Sequence, residues 1–104
     1  MNIKVTEPVL DYEGKVIKSG KDKSLIWRDI IFQALNSVTQ NEVLTGEQKA
    51  KCYRISQKVY DSNAPDLTLD ERHFVLERID KIILSPLICG RAEEFFEEKK
   101  GEGK

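Results

Sequence analysis

The chain has 104 residues, a common length for one domain with one hydrophobic core. No apolar run approaches the roughly 20 residues that cross a membrane, and no charged-then-apolar signal peptide begins the sequence. Cys52 and Cys89 stand apart, without the spacing of a disulfide framework or a zinc site. We therefore expect a cytoplasmic protein with no membrane contact, no metal and no cofactor.

The charges are divided unevenly along the chain, although their formal sum is only -1. Residues 1–58 contain ten Lys/Arg and seven Asp/Glu, whereas residues 59–104 contain seven and eleven, so the halves carry about +3 and about -4. The isoelectric point of about 5.9 argues against nucleic acid as the partner. Solvated charges on helix faces are the favoured explanation of this division, and the alternatives are that it steers a partner or favours head-to-tail self-association.

The N-terminal residues 2–18 have the pattern of a β-hairpin. Ile3 and Val5 alternate with polar residues, and two further apolar pairs flank a polar stretch that contains Gly14. Gly14 is suited to the positive φ of a tight turn, and Pro8 suits the edge of a strand. The pattern predicts a short hairpin before the helical part of the chain.

Four helices are predicted after the hairpin, at about residues 25–38, 46–60, 69–84 and 86–99. Ser24 can cap the first helix, which is apolar on two sides. Thr45 and Thr68 each open a capping box, and Ser85 with Pro86 opens the fourth helix. Residues 1–100 therefore form one domain of α+β class, in which the hairpin packs on a three- or four-helix bundle, and residues 101–104 form a disordered tail.

Local motifs for catalysis or metal binding are weak. His73 falls on the solvent side of the third helix, and both cysteines fall on apolar faces. The loop at residues 61–72 lacks the Gly and Glu of a calcium-binding EF-hand. The connection between the second and third helices is also too long for a DNA-binding helix-turn-helix. We expect a protein that is not an enzyme.

The candidate binding residues are those whose position breaks the helical pattern. Phe74 falls among polar residues of the third helix, beside Arg78, where a large apolar side chain often marks a contact. The alternative is that the hairpin folds over Phe74. Tyr12 at the hairpin tip is a second exposed aromatic, and an exposed basic stripe on the second helix completes the set: Lys51, Arg54 and Lys58.

Four segments resemble short proteins encoded by tailed bacteriophages and prophages. They are LDYEG at residues 10–14, LTGEQKAK at 44–51, LTLDE at 67–71 and PLICGRAE at 86–93. The resemblance implies a viral or prophage origin and a bacterial host cell, and it implies no catalytic or binding residues.

Two functions fit these expectations. The first is a regulator or inhibitor that binds a host or phage enzyme through Phe74 with Arg78, or through the basic stripe. The second is a virion assembly component, such as a tail or neck accessory protein or a chaperone, which acts as a homo-oligomer.

Overall fold

The part of the chain that the structure describes folds into four α-helices. The computed structural model describes residues 3–18, 20 and 23–101, with side chains as far as Phe96. The helices are α1 (Trp27–Leu35), α2 (Gly46–Asp61), α3 (Leu69–Ile82) and α4 (Pro86–Gly101). Helix α1 packs against α2 and α3, and α3 also packs against α4. The described residues form no strand, so the protein is a small all-helical bundle and the predicted α+β class is wrong.

Three segments of the chain that meet at one point replace the predicted hairpin at 2–18. Residue 2 of that prediction lies outside the described residues. Val9 donates its amide proton to the Leu25 carbonyl (2.8 Å), Leu25 donates to Ile17 (2.7 Å), and Ile17 donates to Val9 (3.1 Å). In this closed ring each of the three segments is hydrogen-bonded to both of the others, whereas a β-strand needs successive hydrogen bonds to one neighbouring strand. Within the described residues of these segments, the pairing is limited to three isolated bridges: Pro8 with Ile26, Leu10 with Val16, and Lys18 with Ser24.

The chain reversal at Gly14 is confirmed. Gly14 has a φ of 81°, and its amide donates to the Asp11 carbonyl at 3.1 Å. The Asp11 carboxylate accepts the amide protons of Glu13 and Lys15 at 2.8 and 2.9 Å. A side chain at position 14 would strain this backbone conformation, so the turn depends on glycine.

The N-terminal segment contributes to the core. Ile3, Val5 and Val9 are fully buried. Ile3 donates its amide proton to the Pro65 carbonyl at 3.2 Å, which fastens the segment to the loop between α2 and α3. The apolar residues that alternate at the start of the chain are therefore buried against helices, without being paired in a sheet.

Helix α1 is shorter than the predicted 25–38. Ser24 does not cap it, because Ser24 is paired with Lys18 and the N-cap is Ile26, whose amide donates to Asp29 Oδ2 at 3.4 Å. The helix ends at Leu35, and the Asn36 side chain covers its last turn by donating to the Phe32 carbonyl at 2.9 Å. Trp27, the first residue of the helix, is buried.

The two threonine capping boxes are confirmed. Thr45 Oγ1 accepts the Gln48 amide proton at 3.1 Å, and Gln48 Oε1 accepts that of Thr45 at 2.9 Å. Thr68 and Glu71 form the same reciprocal pair at 3.0 and 2.9 Å. These bonds satisfy amide donors that the first helical turn leaves without partners, so α2 and α3 begin at Gly46 and Leu69.

Helix α4 closes the core by aromatic packing. Ser85 Oγ accepts the Ile88 amide proton at 3.3 Å, which confirms the predicted helix start. Phe95 stacks on Trp27 with 4.8 Å between ring centres, and Phe96 meets Phe95 edge-on at 5.2 Å. Gly101, predicted to begin the tail, is the last residue of α4. Residues 102–104 of that tail lie outside the described residues.

The capping boxes predict matched losses of stability. Thr45→Ala and Thr68→Ala are each expected to lower the free energy of unfolding by about 1 kcal/mol, because each leaves a first-turn amide without its acceptor. Urea denaturation measures the change. Thr6→Ala, at an exposed position, is the control and is expected to change stability by less than about 0.5 kcal/mol. Equal losses in all three variants would contradict the role of the caps.

Candidate functional site

Phe74 lies on α3, half-buried, with its inner side packed on the hydrophobic core. The Lys51 ammonium of α2 lies 4.8 Å from the centre of its ring, a cation-π distance. Leu44, from the loop that joins α1 to α2, lines the same concavity as Phe74. Among the residues that the structure describes, those that share this surface with Phe74 come from α2, α3 and the 36–45 loop, and none comes from the N-terminal segment.

Phe74 lines a concavity of about 460 Å³. Leu44 adds a second apolar side chain to the lining, and Gln48 lines it from α2. The part of the lining that comes from α3 includes the charged residues Glu77, Asp80 and Lys81. A partly apolar hollow with charged residues in its lining is suited to receive a side chain of another molecule.

Arg78 lies inside the protein, where it fastens the 36–45 loop to α3. Its guanidinium donates to the Ser37 carbonyl at 2.6 Å and to the Ala34 carbonyl at 3.4 Å, and it pairs with the Glu42 carboxylate. Only 5% of the residue is exposed. Arg78, which was predicted to contact a partner, thus lines the concavity from inside the protein. We call its bonds to Ala34, Ser37 and Glu42 the Arg78 clasp.

Glu42 is the anionic centre of the Arg78 clasp. It accepts from Arg78 and, at 3.4 Å, from Lys81 Nζ, and its Oε1 accepts the Thr39 amide proton at 3.1 Å. The hydrogen bond from Arg78 is the main reason that the pKa of Glu42 falls to about 2. The carboxylate is therefore ionised at neutral pH and holds the loop closed on itself.

The predicted basic stripe of α2 is partly neutralised by α3. Lys51 Nζ lies 2.5 Å from Asp70 Oδ2, and Lys58 Nζ lies 2.8 Å from Glu71 Oε1. The Lys51 ammonium lowers the pKa of Asp70. Arg54 is exposed on the same helix. Two of the three cations thus join α2 to α3, which the sequence did not indicate.

Tyr12 lies elsewhere on the surface. It is 78% exposed and, with Leu87 and Arg91, borders a separate concavity of about 240 Å³ on α4. Arg91 donates to the Asp11 carbonyl at 2.5 Å, which holds the turn against the helix. The structure therefore does not bring Tyr12 together with Phe74.

Other reactive groups have ordinary structural surroundings. Burial raises the pKa of the Cys52 thiol, and Cys89 donates its thiol proton to the Ile83 carbonyl at 3.1 Å. His73 is exposed on α3. Among the described residues, no three His, Cys, Asp or Glu side chains come close enough together to hold a metal ion. Within the same ranges, no helix is long and apolar enough to cross a membrane.

Some surface residues were assigned wrongly or missed. Helical periodicity places Tyr60 on the inner face of α2 and Leu69 on the apolar face of α3, yet Tyr60 is 69% exposed and Leu69 is 49% exposed. Leu44 and Glu42 were not singled out, although Leu44 directly precedes a capping box, where an apolar residue often packs. Glu42 has no local signal, because its partner Arg78 is distant in the sequence.

Searches among protein-family models, curated proteins and solved structures find no match for this chain. The bacteriophage origin therefore stays a prediction that depends on the four sequence segments described above.

The low pKa of Glu42 predicts a pH-dependent difference in stability between the protein and Glu42→Gln. The pKa is lower in the folded protein than the ordinary 4.5, so the carboxylate stabilises the fold above about pH 4.5 and loses this effect as the pH falls toward about 2. The gap between their melting temperatures, measured by calorimetry, is expected to shrink from about pH 5 to about pH 2.5. A constant gap over this range would contradict the ion pair.

Proposed function

We propose that the protein acts by binding another protein at the Phe74 concavity, and that it thereby regulates or inhibits an enzyme of a bacterial host or of a phage. The observation that carries the binding proposal is a half-buried aromatic side chain, Phe74, that lines a concavity of about 460 Å³. Aromatic anchors in well-packed hollows contribute much of the energy of protein interfaces. The bacterial cytoplasm and the phage setting come from the sequence resemblance alone.

The rigidity of the hollow supports this proposal. The Arg78 clasp fixes the loop that carries Leu44, so the apolar lining of the concavity is formed before a partner binds. A preformed site avoids the entropy cost of ordering a loop upon binding. Arg78 itself supports the site from within and does not touch the partner in this proposal.

The proposal predicts that Phe74→Ala weakens partner capture. Tagged protein is incubated with a lysate of lysogenic bacteria, and captured proteins are quantified by mass spectrometry. The variant is expected to retain at most about a tenth of a partner bound by the unaltered protein, as at other aromatic anchors. It is also expected to melt about 10 °C lower, because a half-buried aromatic ring is lost. Capture is therefore compared well below both melting temperatures.

Two controls separate binding from folding. Tyr53→Ala removes a 68% exposed aromatic of α2 that does not line the Phe74 concavity, and it is expected to leave capture unchanged. Phe74→Leu keeps an apolar side chain in the lining of the concavity and is expected to keep most of the partner capture. Equal capture by Phe74→Ala and the unaltered protein would contradict the proposal. Concentration-dependent assembly of the pure protein, abolished by Phe74→Ala, would instead favour the virion assembly component.

A further inference from the structure

Two concavities adjoin each other on the outer side of α3. The Phe74 concavity lies on one side, and a second hollow of about 360 Å³ lies on the other, with Leu76 and His73 in its lining. Glu77 and Asp80 line both. The surface therefore has two partly apolar hollows separated by a pair of carboxylates, and the term α3 acidic ridge denotes Glu77 and Asp80.

The charges near the α3 acidic ridge leave it a net negative site. The cations that line the Phe74 concavity, Arg78 and Lys81, both face Glu42. No ion pair between residues that the structure describes includes Glu77 or Asp80, and both residues are exposed. The ridge therefore attracts a cation that reaches it from outside and repels phosphate or carboxylate groups.

We propose that the Phe74 concavity binds a basic amphipathic segment of the partner, in which apolar side chains enter the two hollows and a Lys or Arg between them pairs with the α3 acidic ridge. This inference depends on the function proposed above and adds the chemistry of the partner. A helix with apolar residues at positions i and i+7 and a Lys or Arg at i+3 or i+4 places all three side chains along one face. Helix-in-groove recognition of this kind is common among protein interaction domains.

The charge requirement explains why other occupants fit less well. An acidic segment or a nucleic acid would bring negative groups against Glu77 and Asp80, and an uncharged apolar segment would leave their carboxylates without compensation. A second copy of this chain remains an occupant with suitable chemistry, because the exposed face of α2 carries Lys49, Tyr53 and Arg54. The oligomeric state distinguishes this case.

The test uses three synthetic amphipathic helical peptides with the same leucine face. Lysine, glutamine or glutamate occupies the positions between the leucines. Each peptide is titrated into the isotopically labelled full chain, and the backbone amide signals of Leu44, Phe74, Leu76 and Glu77 are followed by NMR. The lysine peptide is expected to shift these four signals and to bind about threefold more tightly than the glutamine peptide for each charge pair formed. The glutamate peptide is expected to bind most weakly.

Two variants identify the surface responsible. Glu77→Lys leaves one Lys and one Asp on the ridge, so it is expected to remove the differences in affinity among the three peptides. It is also expected to leave the melting temperature nearly unchanged, because Glu77 is exposed. Glu13→Lys makes the same charge change at the exposed turn beside Gly14 and is expected to leave the order as it was. Binding of the lysine peptide is also expected to weaken as salt is added.

Several outcomes would overturn the inference. Equal binding of the lysine and glutamine peptides at the four signals would refute the charge requirement and leave the proposed function intact. If no peptide shifts these signals, the proposal of an amphipathic segment as the occupant is refuted. The capture experiment with Phe74→Ala would then still test the proposed function. Self-association of the chain in sedimentation experiments, abolished by Glu77→Lys, would replace the separate partner with a second copy.

Discussion

The buried guanidinium of Arg78 is the interaction on which the rest of the surface depends. It binds the end of α1 through Ala34, the following loop through Ser37, and the carboxylate of Glu42. A buried cation is tolerated only when acceptors surround it, so these partners must stay in place for the core to remain closed. The position of Leu44, and hence the shape of the Phe74 concavity, follows from this requirement.

Local signals in the sequence predicted the parts of the fold that local physics determines. The Thr45 and Thr68 caps and the Ser85 helix start depend on side chains within one turn, and they place the starts of α2, α3 and α4. The ring of Val9, Ile17 and Leu25 depends on three segments of chain that follow one another at intervals of eight residues, more than one helical turn or tight turn spans. Alternating apolar residues indicate burial on one side, and they do not distinguish a strand from a segment that packs directly on helices.

The candidate site was predictable only in part, for the same reason. Helical periodicity identified Phe74 as an apolar residue on the polar side of α3, and the structure places it in the lining of a hollow. The same periodicity placed Arg78 on the polar side of α3. Helical periodicity takes no account of a loop that folds over a charged residue and supplies its hydrogen-bond acceptors. Lys51 and Lys58 were expected to face solvent, yet their partners Asp70 and Glu71 come from the neighbouring helix.

Hydrogen exchange of the loop amides tests the role of the Arg78 clasp most directly. The amides of Thr39 and Glu42 donate to the Glu42 side chain and the Thr39 carbonyl, each at 3.1 Å, and these bonds depend on the clasp. Both amides are expected to exchange at least about tenfold more slowly than in an unstructured peptide. In Arg78→Lys, which keeps the charge but loses the forked donors, their exchange is expected to accelerate while α2 stays protected. Unchanged protection in that variant would contradict the account.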